Sequence, residues 1–133
     1  MVTYLWIALG SALGGMARFW LGGVVAARLG AFFPWGTILV NISGSFLIGL
    51  FAATTGPDGR FSASSDVQAF LLAGICGGYT TFSAFSLQTL NLAQEGEISA
   101  AGANIAISVV ACLIAVWLGY LAGASLNPAK GGL

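Results

Sequence analysis

The chain has 133 residues, 58% of them hydrophobic and only 6% charged, with no histidine. A water-soluble domain carries about 25% charged residues, so this chain has too little charge to coat a globule, and its low-polarity solvent is lipid. Four basic residues balance four acidic ones without a basic cluster, which argues against nucleic acid as a partner. Mean hydropathy is +0.95. The two cysteines, Cys76 and Cys112, fall inside apolar segments. Without histidine they read as buried packing residues rather than metal ligands. The first apolar run continues past Leu13 into Arg18, so it reads as a retained span rather than a cleaved signal.

A helix needs about 20 mostly apolar residues to cross about 30 Å of hydrocarbon. Four segments qualify, over 3–27, 35–55, 66–92 and 98–123. They predict one all-α, four-helix membrane domain over 1–126, followed by a flexible tail over 127–133. The connectors carry the punctuation. Ala31-Phe32-Phe33-Pro34-Trp35 supplies interfacial aromatics. Gly56-Pro57-Asp58-Gly59-Arg60 is a turn signal. Ser62-Ala63-Ser64-Ser65 is a helix-start neighbourhood ahead of Asp66. Gln94-Glu95-Gly96-Glu97 joins the last two spans.

In the first span Gly10, Gly14 and Arg18 share a face at i, i+4, i+8. Small residues so spaced let membrane helices approach closely, and close packing suffices to explain them. Arg18 is the charge expected within a span. It is read as a structural arginine that bonds helix-end carbonyls or reaches the interface, with a fixed charge that attracts anions as the other reading. In the second span Thr37, Asn41, Gly44, Ser45 and Ile48 form one narrow face. Asn41 must meet protein or water there, either as an interhelical tie or as an ion contact, and residue type leaves both open. In the fourth span Asn104, Ser108, Ala111 and Cys112 form a similar face. Asn104 demands a partner, while Ser108 is expected to bond its own i−4 carbonyl.

The third span is the most informative. A continuous helix over 66–92 would be roughly 40 Å long, and Gly77-Gly78 near its middle predicts a break at mid-membrane. Broken membrane helices mark ion and substrate sites. After the glycines, the hydroxyls of Thr80, Thr81, Ser83 and Ser86 alternate with Phe82 and Phe85. Ring edges are electron-poor and attract anions, whereas hydroxyls serve either sign of charge. Two phenylalanines at i, i+3 alone are ordinary packing; in this run, opposite an asparagine face, they suggest an ion path.

Charge excludes other functions. Asp58, Asp66, Glu95 and Glu97 all lie in or beside connectors. No mid-span carboxylate is present to bind and release protons as a proton-coupled exporter requires. No acid pair or histidine supports catalysis, so an enzyme is not expected. With four spans, Arg60 and Lys130 fall on one side of the membrane, Arg18 and Arg28 toward the other. Basic residues on the two sides orient a membrane protein. Their balance here suggests insertion in both orientations and an antiparallel homodimer, the other reading being that counts this small carry no meaning and another signal fixes one orientation.

Three runs give the chain a family resemblance: Gly14-Gly15-Met16-Ala17-Arg18, Trp35-Gly36-Thr37-Ile38-Leu39-Val40-Asn41, and Gly77-Gly78-Tyr79-Thr80-Thr81-Phe82-Ser83-Ala84-Phe85-Ser86. In length, span number and motif order the chain resembles the Fluc (CrcB) fluoride channels. The resemblance implies a dual-topology, antiparallel homodimer in the bacterial cytoplasmic (inner) membrane. Its two pores would pass fluoride and reject chloride, letting cytoplasmic fluoride leave. It implies a pathway through Asn41, Phe82, Phe85, Thr37, Ser83 and Ser108. It also implies a central sodium ion held by the backbone carbonyls of Gly77 and Thr80. Three positions depart from the family pattern: Ala84 lacks a hydroxyl, Gln88 stands for an acid, and Asn104 for a polar aromatic. The runner-up is a small dual-topology proton-coupled multidrug exporter, which would need a glutamate in the first span. A non-conducting partner subunit would show degraded motifs, and the motifs here are intact.

Overall fold

The computed structural model describes residues 1–128. Four apolar helical spans run over Val2–Leu29, Trp35–Thr55, Ser65–Gln94 and Ile98–Leu126, each long and apolar enough to cross a membrane. The first, second and fourth are the uninterrupted helices α1 (Val2–Leu29), α2 (Trp35–Thr55) and α6 (Ile98–Leu126). The third is composite: α3 (Ser65–Gln68), a π-helical stretch (Ala69–Cys76), α4 (Gly77–Tyr79) and α5 (Phe82–Gln94). No strand occurs among the described residues.

Two close helix pairs build the bundle, α1 against the third span and α2 against α6. Both are glycine contacts, because van der Waals approach of backbones replaces the hydrophobic drive that lipid removes. A Cβ on Gly10 would lie 2.6 Å from the Phe70 carbonyl, and one on Gly78 would lie 2.6 Å from that of Ser11. On the other pair, Gly49 abuts the backbone of Val116 and Gly119 that of Phe46. The Gly10/Gly14 pattern was legible in advance. On α6, Gly119 and Gly123 have the same four-residue spacing, and with Gly49 of α2 they form the matching contact.

The third span departs from the predicted pattern in two ways. Gly77 and Gly78 are not the break. Gly77 is helical, at φ −64 and ψ −38, and Gly78 brings α4 against α1. The residues that leave the helix are Thr80, at φ −81 and ψ 157, and Thr81, at φ −152 and ψ 110. The interruption is short, and the span as a whole bends by only 15°. The second departure is the π-helical stretch before it, where the Gly77 N–H reaches the Leu72 carbonyl five residues back. One such widened turn inserts a residue without ending the helix. It re-registers the backbone ahead of Thr80, so that Gly74 faces Gly10 and Gly78 faces Ser11.

The connector between α2 and α3 is tied to the end of α6. The Arg60 N–H donates to Asn127 Oδ1 at 2.8 Å, and Asn127 Nδ2 donates to the Ala53 carbonyl at 2.9 Å. Gln68 Nε2 donates to the carbonyls of Thr55 (2.9 Å) and Ala63 (3.0 Å). The carbonyls of Ala53 and Thr55 at the end of α2, where intrahelical donors run out, are thereby satisfied. Of the segment read as a tail, Asn127 is pinned by these bonds. Positions 129–133, with Lys130 among them, lie outside the described residues.

Candidate functional site

The extended residues Thr80 and Thr81 expose backbone groups that a helix would pair internally. Asn41 of α2 takes up one such residue completely. The Thr81 N–H donates to Asn41 Oδ1 at 2.8 Å, and Asn41 Nδ2 donates to the Thr81 carbonyl at 3.1 Å. The primary amide here imitates a backbone partner. One of its two N–H donors is committed to Thr81, which leaves the other for the cavity that Asn41 lines. The Thr81 hydroxyl then caps α5 by accepting the Ala84 N–H at 3.1 Å, and it also pairs with the Ser83 hydroxyl at 3.2 Å. Side-chain capping of this kind is what lets a helix restart in a dry environment.

Two cavities meet at this break. The first, of about 370 Å³, is lined by Asn41, Ser45, Thr80, Thr81, Phe82, Phe85 and Ser108 together with apolar residues. No acidic or basic side chain lines it. Phe82 and Phe85 stand with ring centroids 5.3 Å apart and planes tilted by 54°. Their environments differ sharply: Phe85 is 8% exposed, whereas Phe82 is 77% exposed on the face of the chain. The second cavity, of about 360 Å³, is lined by Arg18, Thr37, Thr81, Ala84 and Gln88 among others. Thr81 borders both cavities, so the Asn41–Thr81 pair stands between them.

The predicted site residues therefore divide. Asn41, Phe82, Phe85, Ser108 and Thr80 gather around one cavity. Thr37 and Arg18 line the other, and Arg18 Nε donates to the Gly78 carbonyl at 3.2 Å. Ser83 lines neither cavity; its hydroxyl turns back to Thr81. Gly77 lines neither cavity and lies exposed on α4. Ser108 does not bond its own i−4 carbonyl as expected. It donates to the side chain of that residue, Asn104 Oδ1, at 3.2 Å. Asn104 Nδ2 in turn donates to Thr89 Oγ1 at 2.9 Å, and Thr89 donates to the Phe85 carbonyl at 2.7 Å. Thr81 and Thr89 are the residues that sequence reasoning undervalued. Thr81 had a usable signal, a hydroxyl residue immediately before an apolar helical run. Thr89 had only its register with Phe85.

Near Gly77 and Thr80 the structure explains which carbonyls lose their helical donors. In a continued helix the Thr81 N–H would point at the Gly77 carbonyl and the Ala84 N–H at that of Thr80. The first goes to Asn41 and the second to the Thr81 hydroxyl. No group of three His, Cys, Asp or Glu side chains that could hold a metal ion occurs among the described residues.

Comparison with known proteins identifies the family. Residues 5–120 match the model of a family described as "CrcB-like protein, Camphor Resistance (CrcB)". A protein of Methylocella silvestris named fluoride-specific ion channel FluC is 59% identical over 130 residues, which are 98% of this chain and 99% of that protein. A Rhodospirillum rubrum protein of the same name is 56% identical, over 95% of this chain and 98% of its own length. One from Opitutus terrae, also so named, is 53% identical over 98% and 99% of the two chains. With the family match reaching into all four helices, and with relatives this similar end to end and named as ion channels rather than enzymes, the chain belongs to the CrcB family.

Proposed function

We propose that this chain is a fluoride-selective channel. It lets cytoplasmic fluoride leave passively across the bacterial inner membrane, and it works as an antiparallel homodimer with two pores. The observation that carries the reading is the cavity of Asn41, Phe82, Phe85 and Ser108, which offers polarised hydrogens and ring edges but no charged side chain. The names of the relatives support the same ion. Fluoride is small and strongly hydrated, so a selective pore must replace its water with hydrogen-bond donors. The uncommitted Asn41 N–H does this, and phenylalanine edges add weak attraction. Chloride, larger and less dependent on donors, gains less.

Entry runs through the Arg18/Thr37 cavity, where a guanidinium raises the local concentration of anions. The ion passes the Asn41–Thr81 pair and continues along the rings. Phe82, open on the chain's face, is a wall that a second copy completes. The carbonyls of Gly77 and Thr80, deprived of helical donors, fit a sodium ion at the centre of that dimer. When bound, the cation would offset their partial charge and make the local potential more favourable to anions. The exporter reading lacks support, since neither cavity at the break is lined by a carboxylate.

The test is ion efflux from liposomes carrying the purified protein, read with fluoride and chloride electrodes. Wild type is expected to release fluoride and retain chloride. Phe85→Ile and Phe82→Ile are each expected to slow fluoride at least tenfold, about 1.4 kcal/mol of lost stabilisation. An absence of wild-type fluoride flux would end the proposal, and flux indifferent to both substitutions would remove the rings from the path. Topology is tested separately: tags on each terminus should be accessible from both sides of the membrane in comparable amounts, and a single orientation would overturn the antiparallel dimer.

A further inference from the structure

One of the most thoroughly enclosed side chains among the described residues is polar. Asn104 is 1% exposed, yet it does not line the cavity. It touches two groups that bear on it. It accepts the hydroxyl proton of Ser108, which does line the cavity, at 3.2 Å. It also donates at 2.9 Å to Thr89, whose hydroxyl holds the Phe85 carbonyl at 2.7 Å. The direction of these bonds has a consequence. With its proton on Asn104, Ser108 offers the empty cavity only lone pairs. An anion beside it needs the proton instead.

We propose that Asn104 is a positioning residue for the anion path. It parks the Ser108 proton when no ion is present and yields it when one arrives. The proposal rests on the fluoride-channel reading above. Its physical basis is a competition among acceptors. A serine in a membrane helix ordinarily bonds the carbonyl four residues back, which here belongs to residue 104 itself. The Asn104 amide oxygen outbids that carbonyl and holds the hydroxyl out at the cavity edge. At 3.2 Å the bond is long, hence weak and easily exchanged. Conduction needs such balance, because an ion must bind well enough to enter and loosely enough to leave. A residue that keeps the donor satisfied between ions avoids the cost of an orphaned hydroxyl in a dry pocket.

The experiment is fluoride efflux from liposomes for wild type, Asn104→Ala, Ser108→Ala and the double variant, together with Asn104→Asp across pH. Asn104→Ala should slow fluoride roughly five- to tenfold, the range of one hydrogen bond. The double variant should be no slower than Ser108→Ala, because residue 104 acts through residue 108. In Asn104→Asp, the protonated acid still donates and accepts as the amide does, so flux should lie near wild type at low pH. As pH climbs and this acid ionises, the carboxylate should grip the Ser108 proton about twice as strongly and flux should fall, reversibly in the same vesicles. Adding Ser108→Ala to Asn104→Asp should flatten this profile.

Three results would overturn the proposal while wild-type flux stands: slowing by Asn104→Ala and Ser108→Ala that multiplies in the double variant, an Asn104→Asp flux that is flat with pH or absent throughout, or a pH profile that survives Ser108→Ala. Absent wild-type flux would instead remove the channel reading on which the proposal rests.

Discussion

Asn41→Ala is expected to slow fluoride efflux about 10- to 100-fold, while leaving the protein folded enough to purify and reconstitute. Asn41 makes two hydrogen bonds to the backbone of Thr81, each worth about 0.5–1.5 kcal/mol net and more when one partner is left unpaired in a dry site. Alanine removes both. The orphaned Thr81 N–H then has a nearby replacement, the Gly77 carbonyl that a regular helix would give it. The break would tend to heal, turning that carbonyl inward and moving the residues that carry Phe82 and Phe85. The loss is thus expected in two quantities: the anion rate, and the affinity for the cation that the Gly77 carbonyl would hold. Asn41→Asp distinguishes backbone support from ion contact. It keeps an acceptor for the Thr81 N–H but supplies no donor when ionised, and it places a negative charge in the anion path. It should therefore be slower than Asn41→Ala although it preserves more of the local structure. Liposome efflux for both variants checks the ranking, and Asn41→Ala flux within twofold of wild type would show that the pair is dispensable.

Gly14→Val is expected to destabilise the bundle by at least about 3 kcal/mol, the upper end of overpacking costs, and to abolish recovery of a monodisperse protein. A Cβ at Gly14 would overlap the Ile75 carbonyl and lie 2.8 Å from the Tyr79 nitrogen. Both obstacles are backbone, so no rotamer change relieves the clash, and α1 must move away from the π-helical stretch and α4. That movement would also separate Arg18 from the Gly78 carbonyl one turn further along. Gly102→Ala is the matched control. Nothing lies within 4 Å of its added methyl, and alanine is a better helix former by about 1 kcal/mol. The control should be unchanged or slightly more stable. Size-exclusion profiles after stepwise heating in detergent measure both variants. A Gly14→Val protein as heat-resistant as wild type would mean that the α1 contact gives way more easily than its backbone geometry indicates.

Low charge and the apolar runs were enough to establish four membrane-spanning helices, because a chain of this composition can satisfy its backbone in lipid only by folding each run into a helix. The spacing of Gly10 and Gly14 announced a close helix contact, and from the hydroxyl–phenylalanine run Thr80, Thr81, Phe82 and Phe85 line one cavity. Asn41 could be singled out as a polar group needing a partner, and so could Asn104. Which partner each found was decided by tertiary structure alone. The same amide chemistry that ties Asn41 to a broken backbone ties Asn104 to two hydroxyls, and the difference is only what stands opposite. The position of the break was likewise settled in three dimensions. Glycine permits a break but does not require one. Gly77 and Gly78 stay helical, and α1 packs on the bare backbone of Gly78. Thr80 and Thr81 leave the helix because Asn41 and the Thr81 hydroxyl replace the bonds they give up. Local sequence records which residues can bend the chain, whereas the choice among them falls to whatever, far along the chain, can satisfy the backbone groups that bending exposes.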